Sequence, residues 1–131
     1  MKKSFFTAIL LLICLSFTAF QCDDDTPLTQ EQELAQLQDF KSEVEALAST
    51  SICNETSECK FIAFGSKPCG GPWSYLIYST SIDVNALESK VQDYNAQEHK
   101  YNQKWGIVSD CSLAAKPIDI KCENNSCVAV F

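Results

Sequence analysis

The chain has 131 residues, 10 Lys, no Arg and 17 acidic residues, for a formal charge of −7, and that length bounds it to one small domain plus whatever is processed from its N-terminus. With 46% apolar residues and a mean hydropathy of −0.08 it can bury a core, which excludes a disordered chain. Eight cysteines exceed what a reduced cytosolic chain of this size usually carries, and the acidic balance makes nucleic acid and anionic lipid surfaces poor partners.

Met1-Lys2-Lys3 forms a basic leader, and Phe5 to Phe20 is an uncharged run of sixteen residues. As a helix this run would be about 24 Å long, short of the roughly 30 Å of a bilayer core, so it reads as a secretory signal peptide rather than a permanent span. It ends at Ala19-Phe20-Gln21-Cys22, followed by Asp23-Asp24-Asp25. This junction resembles a bacterial lipoprotein signal, which implies that Cys22 becomes the first mature residue and carries the lipid anchor. The acidic triplet is similar to a tract that routes lipoproteins to the cell surface in one Gram-negative lineage. Cysteine parity points the same way, because removal of Cys14 with the signal and acylation of Cys22 leave an even set of six. The expected location is the outer membrane or cell surface by lipid anchor, with a periplasmic or secreted protein as the alternative. From Cys22 onward the charge is −9, concentrated in residues 22–52, where eight acids face only Lys41.

Residues 22–27 read as an acidic tether. Thr26-Pro27 offers one helix start and Thr29 with Gln32 a second, as a capping box. Leu34, Leu37, Phe40, Val44 and Leu47 then form one apolar stripe, so residues 28–52 are expected to hold an amphipathic helix ending near Ala48. That helix would serve either as a stalk or partner-binding face, or as an element docked on its own domain, since alone it would be marginally stable in water.

Residues 53–131 read as a cysteine-rich α+β domain. Lys60 to Phe64 and Tyr75 to Ser79 have the composition of two antiparallel strands joined by a long loop. Asp83 caps a second helix whose Val84, Leu87, Val91, Tyr94, Tyr101 and Trp105 keep a 3,4 alternation broken by Glu98, and Gly106 is placed to end it. Ile118 to Cys122 and Cys127 to Phe131 flank Glu123-Asn124-Asn125-Ser126, expected as a four-residue hairpin loop. The expected fold is α+β: an antiparallel sheet of about four strands covered by the long helix, with the amphipathic helix at its N-terminal side.

Cys53-x5-Cys59, Cys69-Gly70-Gly71-Pro72, Tyr75-x-x-Tyr78-Ser79, Ser109-Asp110-Cys111 and Cys122-x4-Cys127 resemble a family of small secreted or lipid-anchored bacterial cysteine-rich proteins. The likeness covers about residues 53–131 and implies no catalytic residues.

No Cys-x-x-Cys occurs, so Cys53, Cys59, Cys69, Cys111, Cys122 and Cys127 are expected as disulfides rather than metal or redox ligands. The returning long helix should bring Cys111 to Cys69. Proximity favours Cys53 with Cys59 and Cys122 with Cys127, and a crossed pairing of those four fits equally well. His99, the sole histidine, lies off the apolar stripe and reads as a solvated helix residue. Gly70-Gly71 lacks the Lys-Ser/Thr of a phosphate loop. Neither catalytic activity, a cofactor nor a metal is expected.

The segment Ser66 to Ser74 is the candidate binding surface, with Lys67, Gly70, Gly71 and Trp73 as its residues: glycines allow close backbone approach, prolines stiffen the loop and Trp73 offers apolar area. Two function classes follow. One is a lipid-anchored envelope module that binds a protein or glycan. The other is a secreted protease inhibitor with a disulfide-braced loop, for which Lys67 is the obvious basic residue although Pro68 follows it.

Overall fold

The computed structural model describes residues 27–131; the signal peptide, Cys22 and most of the acidic tether lie outside them. Helix α1 spans Gln30–Ser49, strands β1 and β2 span Cys59–Phe64 and Ser74–Ser79, helix α2 spans Val84–Trp105, and strands β3 and β4 span Asp119–Glu123 and Ser126–Val130. Of the two possible starts for α1, the chain uses the second. The Thr29 hydroxyl accepts from the Gln32 amide at 3.3 Å, and the Gln32 side chain accepts from the Thr29 amide at 2.9 Å. Helix α2 is capped by the Asp83 carboxylate on the Ala86 N–H at 3.0 Å, and Gly106 closes it at φ 61°.

The strands form two separate two-stranded antiparallel sheets, β1–β2 and β3–β4, and not one four-stranded sheet. The reason lies in how the faces are occupied. Ile62, Phe64, Leu76 and Tyr78 alternate onto the face of β1–β2 that meets the helices. Cys59 and Phe61 therefore point to the opposite face, and Cys59 is bonded to Cys127 of β4. The second hairpin is thus stitched across the back of the first instead of extending its edge. Its strand β3 has only Ile120 half-buried, so it brings no continuous apolar face to lie under α2. The hairpin turn is the two residues Asn124 and Asn125, both at positive φ (51° and 63°), with Glu123 paired to Ser126; Asn tolerates this conformation, which suits the strand twist.

The core lies between the helices and β1–β2: Leu37, Val44 and Ala48 of α1 join Phe64, Tyr78, Leu87, Val91, Tyr94 and Tyr101 in one buried cluster. Of the two readings of the first helix, the docked one holds, and the compact core includes a helix that precedes every core cysteine. Tyr94 links the layers, with its ring centroid 5.9 Å from Phe40 and 5.0 Å from Phe64. The Tyr78 hydroxyl donates to Glu88 at 2.6 Å; burial, then that carboxylate, hold its pKa well above the ordinary phenol value. Helix pairing is completed by the Glu33 carboxylate, which accepts from the Trp105 indole at 2.7 Å and from the Lys104 ammonium.

All six cysteines among the described residues are disulfide-bonded. Cys69 pairs with Cys111 as expected, while the other four take the crossed arrangement, Cys53 with Cys122 and Cys59 with Cys127. Pairing of sequence neighbours is overturned because Cys122 and Cys127 stand opposite one another in the β3–β4 ladder and both project from one face of that hairpin, so Cys127 reaches Cys59 at the start of β1 and Cys122 reaches Cys53 in the connection before it. Among the described residues no helix is long and apolar enough to cross a membrane, and three disulfides fit an oxidising compartment outside the cytoplasm.

Candidate functional site

Residues 65–73 leave β1 and return to β2, and three polar side chains of α2 fix where they start. Asn95, Glu98 and Asn102 lie on one helix face, at spacings of three and four. The Gly65 N–H donates to Asn95 Oδ1 at 2.7 Å, and Asn95 Nδ2 donates to the Ala63 carbonyl at 3.0 Å. The Ser66 N–H donates to the Glu98 carboxylate, whose other oxygen accepts from the Tyr94 hydroxyl at 3.1 Å. Asn102 Nδ2 then donates to the Ser66 carbonyl at 2.7 Å. Burial first, and the Glu98 charge second, push the Tyr94 hydroxyl pKa up. These clamps were missed in the sequence. Their signal was there in the polar break at Glu98 within an otherwise apolar stripe.

Beyond Gly65 the backbone folds on itself: the Lys67 N–H donates to the Gly71 carbonyl at 2.8 Å, and the Gly70 N–H donates to the Lys67 carbonyl at 2.9 Å. Gly70 and Gly71 sit at φ 95° and 82° with open space around each Cα, so backbone conformation rather than crowding demands glycine there. The Trp73 N–H rejoins the sheet on the Phe64 carbonyl at 3.1 Å.

A second set of ties comes from the strap that runs from α2 to β3. The Cys69–Cys111 disulfide joins loop to strap across 42 positions of sequence. Lys67, 7% exposed, reaches the same strap. Its ammonium donates to Asp110 Oδ1 at 3.0 Å, to the Ser112 carbonyl at 2.7 Å and to Ser112 Oγ at 3.2 Å. It also lies 5.0 Å from the centre of the Trp73 ring, a cation–π distance. A buried ammonium needs such a full set of acceptors. Among the four residues read as a binding surface, Lys67 therefore faces inward and braces the loop, while Gly70, Gly71 and Trp73 are exposed, Trp73 by 42%. Trp73 packs its edge on Gly65, where an added Cβ would stand 2.6 Å from Trp73 Cδ1. It is thus neither core nor a free side chain.

The Ser112 hydroxyl, donating at 2.7 Å, and then Lys67 hold the Asp110 carboxyl below its ordinary value of 3.8. A depressed folded-state pKa stabilises the fold fully above the unfolded value and loses that contribution as pH falls through the lower folded one. Thermal melts from neutral pH to about pH 2.5 are thus expected to show a smaller acid-induced drop for Asp110→Asn than for the native chain. The acid response should persist in part, since Glu33 is also held low by Lys104 and Trp105. An unchanged drop in Asp110→Asn refutes the role of this ion pair.

His99 is exposed on α2, with Ser66 Oγ 3.5 Å from Nδ1 and the Gln103 side-chain amide 3.0 Å from Nε2. The sulfurs of Cys53, Cys59 and Cys127 lie within 4.8 Å of one another because two disulfides run side by side, and as disulfides they offer a metal no thiolate. Searches for similarity match this chain to no protein family, curated protein or solved structure.

Proposed function

We propose that this protein is an exported binding module, anchored in the cell envelope by lipid on Cys22, whose loop from Ser66 to Ser74 contacts an envelope protein or glycan. The observation that carries the reading is the combination at Trp73: a half-exposed indole on a loop tied down by a disulfide, a buried lysine and three α2 side chains. Ordering a loop before binding removes an entropic cost that a floppy loop would meet on association. Exposed aromatic anchors on such loops often dominate binding energy. The inhibitor reading is the less favoured, because Lys67, the loop's one basic side chain, is buried and engaged with Asp110 and Ser112.

The test is capture of envelope components by the purified protein and by Trp73→Ala. Loss of the indole is expected to weaken capture by about thirtyfold, equivalent to roughly 2 kcal/mol, with a modest fall in melting temperature. Equal capture by the variant overturns the assignment of the loop. For the anchor, Cys22→Ser is expected to move the protein from the detergent phase to the aqueous phase; unchanged partitioning overturns acylation at Cys22.

A further inference from the structure

Beside Trp73, where α1 crosses α2, the surface opens into a cleft of about 260 Å³. Its chemistry is mixed. Trp73, Leu34 and Ile107 supply its larger, apolar part, Gln38 and Lys41 a polar rim from α1, and Glu98 and Asn102 polar groups from α2. The Gln38 side chain has no hydrogen-bond partner among the described residues, and Asn102 engages only its Nδ2, with Ser66. Lys41 makes a loose pair with Glu45 at 3.9 Å.

We propose that this cleft holds one pyranose ring of a glycan, stacked on Trp73; the inference rests on the reading of the Trp73 loop as the interaction surface. A sugar ring has an apolar face of C–H groups and a rim of hydroxyls that both donate and accept. One face of the Trp73 ring takes the Lys67 ammonium; the other, with its negative π charge, suits the C–H face. Amides and a carboxylate at the edge suit the hydroxyls. A phosphorylated ligand would find only Lys41, against a charge of −9 from Cys22 onward. At about 260 Å³ the cleft has room for one pyranose ring.

The experiment titrates the isotope-labelled protein with N-acetylglucosamine, methyl glucoside, methyl galactoside and chitobiose, reading the Trp73 indole N–H and the Gln38 side-chain amide by NMR. At least one sugar is expected to shift both signals saturably. Trp73→Ala should abolish the effect, and Gln38→Ala, on an exposed helix face where folding is unaffected, should weaken it about three- to tenfold, as one lost hydrogen bond predicts. A folded protein with no saturable shift for any sugar overturns the proposal, as does binding that survives both substitutions. If sugars fail while capture of an envelope protein still requires Trp73, the sugar site falls and the interaction surface stands. If nothing depends on Trp73, both fall.

Discussion

Removing the two side-by-side disulfides together, by replacing Cys53, Cys59, Cys122 and Cys127 with alanine, is expected to lower stability by about 6 kcal/mol, whereas removing either one alone costs about 3. Both values follow from loop closure. The bridges span 69 and 68 positions of sequence, but the retained Cys69–Cys111 bridge shortens the circuit that either one closes to about 29 residues, for which the chain-entropy argument gives roughly 3.6 kcal/mol. Once one is closed, the other shuts only the short circuit through residues 53–59 and 122–127, for about 2.8 kcal/mol. A loss of about 6 kcal/mol is comparable with the whole stability of a small domain, so the quadruple variant should unfold outright or release the β3–β4 hairpin, which has no backbone ladder to β1–β2. Urea denaturation of the two double variants and the quadruple variant checks this. A single removal as costly as the quadruple one would contradict the loop-closure account.

Gly65→Ala is expected to cost about 2–5 kcal/mol and to dislodge Trp73. Gly65 sits at φ 84°, where an L side chain is strained, and its added methyl would meet Trp73 Cδ1 at 2.6 Å and Glu98 Oε2 at 3.0 Å. The left-handed backbone accounts for about 1–2 kcal/mol, and overpacking against a ring that is itself held by Lys67 for about 1–3 more. The variant should also expose its indole more fully and weaken the Trp73-dependent capture, which an ordinary loop glycine would not do. Gly70→Ala is the control: it shares the positive φ, 95°, but has open space around it, so only the backbone part of the loss is expected. Equal losses at the two positions would show that Trp73 does not rest on Gly65.

What was legible in the sequence was local. The 3,4 alternation of Leu87, Val91, Tyr94 and Tyr101 placed α2, and Thr29, Asp83 and Gly106 marked helix ends, because caps and stripes depend on residues within a turn or two of one another. The Asn124-Asn125 turn placed the second hairpin for the same reason. The layering was not legible. Whether that hairpin pairs edge to edge with the first or crosses its back is decided by which face Cys59 occupies and which cysteine it meets 68 positions away, and a linear pattern of spacings carries no such information. The site shows the same division. Gly70, Gly71 and Trp73 stood out by residue type, and the structure leaves them exposed. The burial of Lys67 could not be read, because its acceptors at Asp110 and Ser112 lie more than forty residues downstream. Asn95 and Asn102 have no local pattern that marks them, and their role exists only because β1 ends beside α2.

The central claim is that the surface from Ser66 to Ser74 is formed before any partner arrives. Backbone ¹⁵N relaxation of the free, oxidised protein tests it most directly. The amides of Lys67, Gly70, Gly71 and Trp73 are expected to show order parameters near those of α2, about 0.85. Values below about 0.6 across those residues, with α2 rigid, would contradict the account, since a loop that moves so freely is not held by Cys111, Asp110 and the α2 side chains.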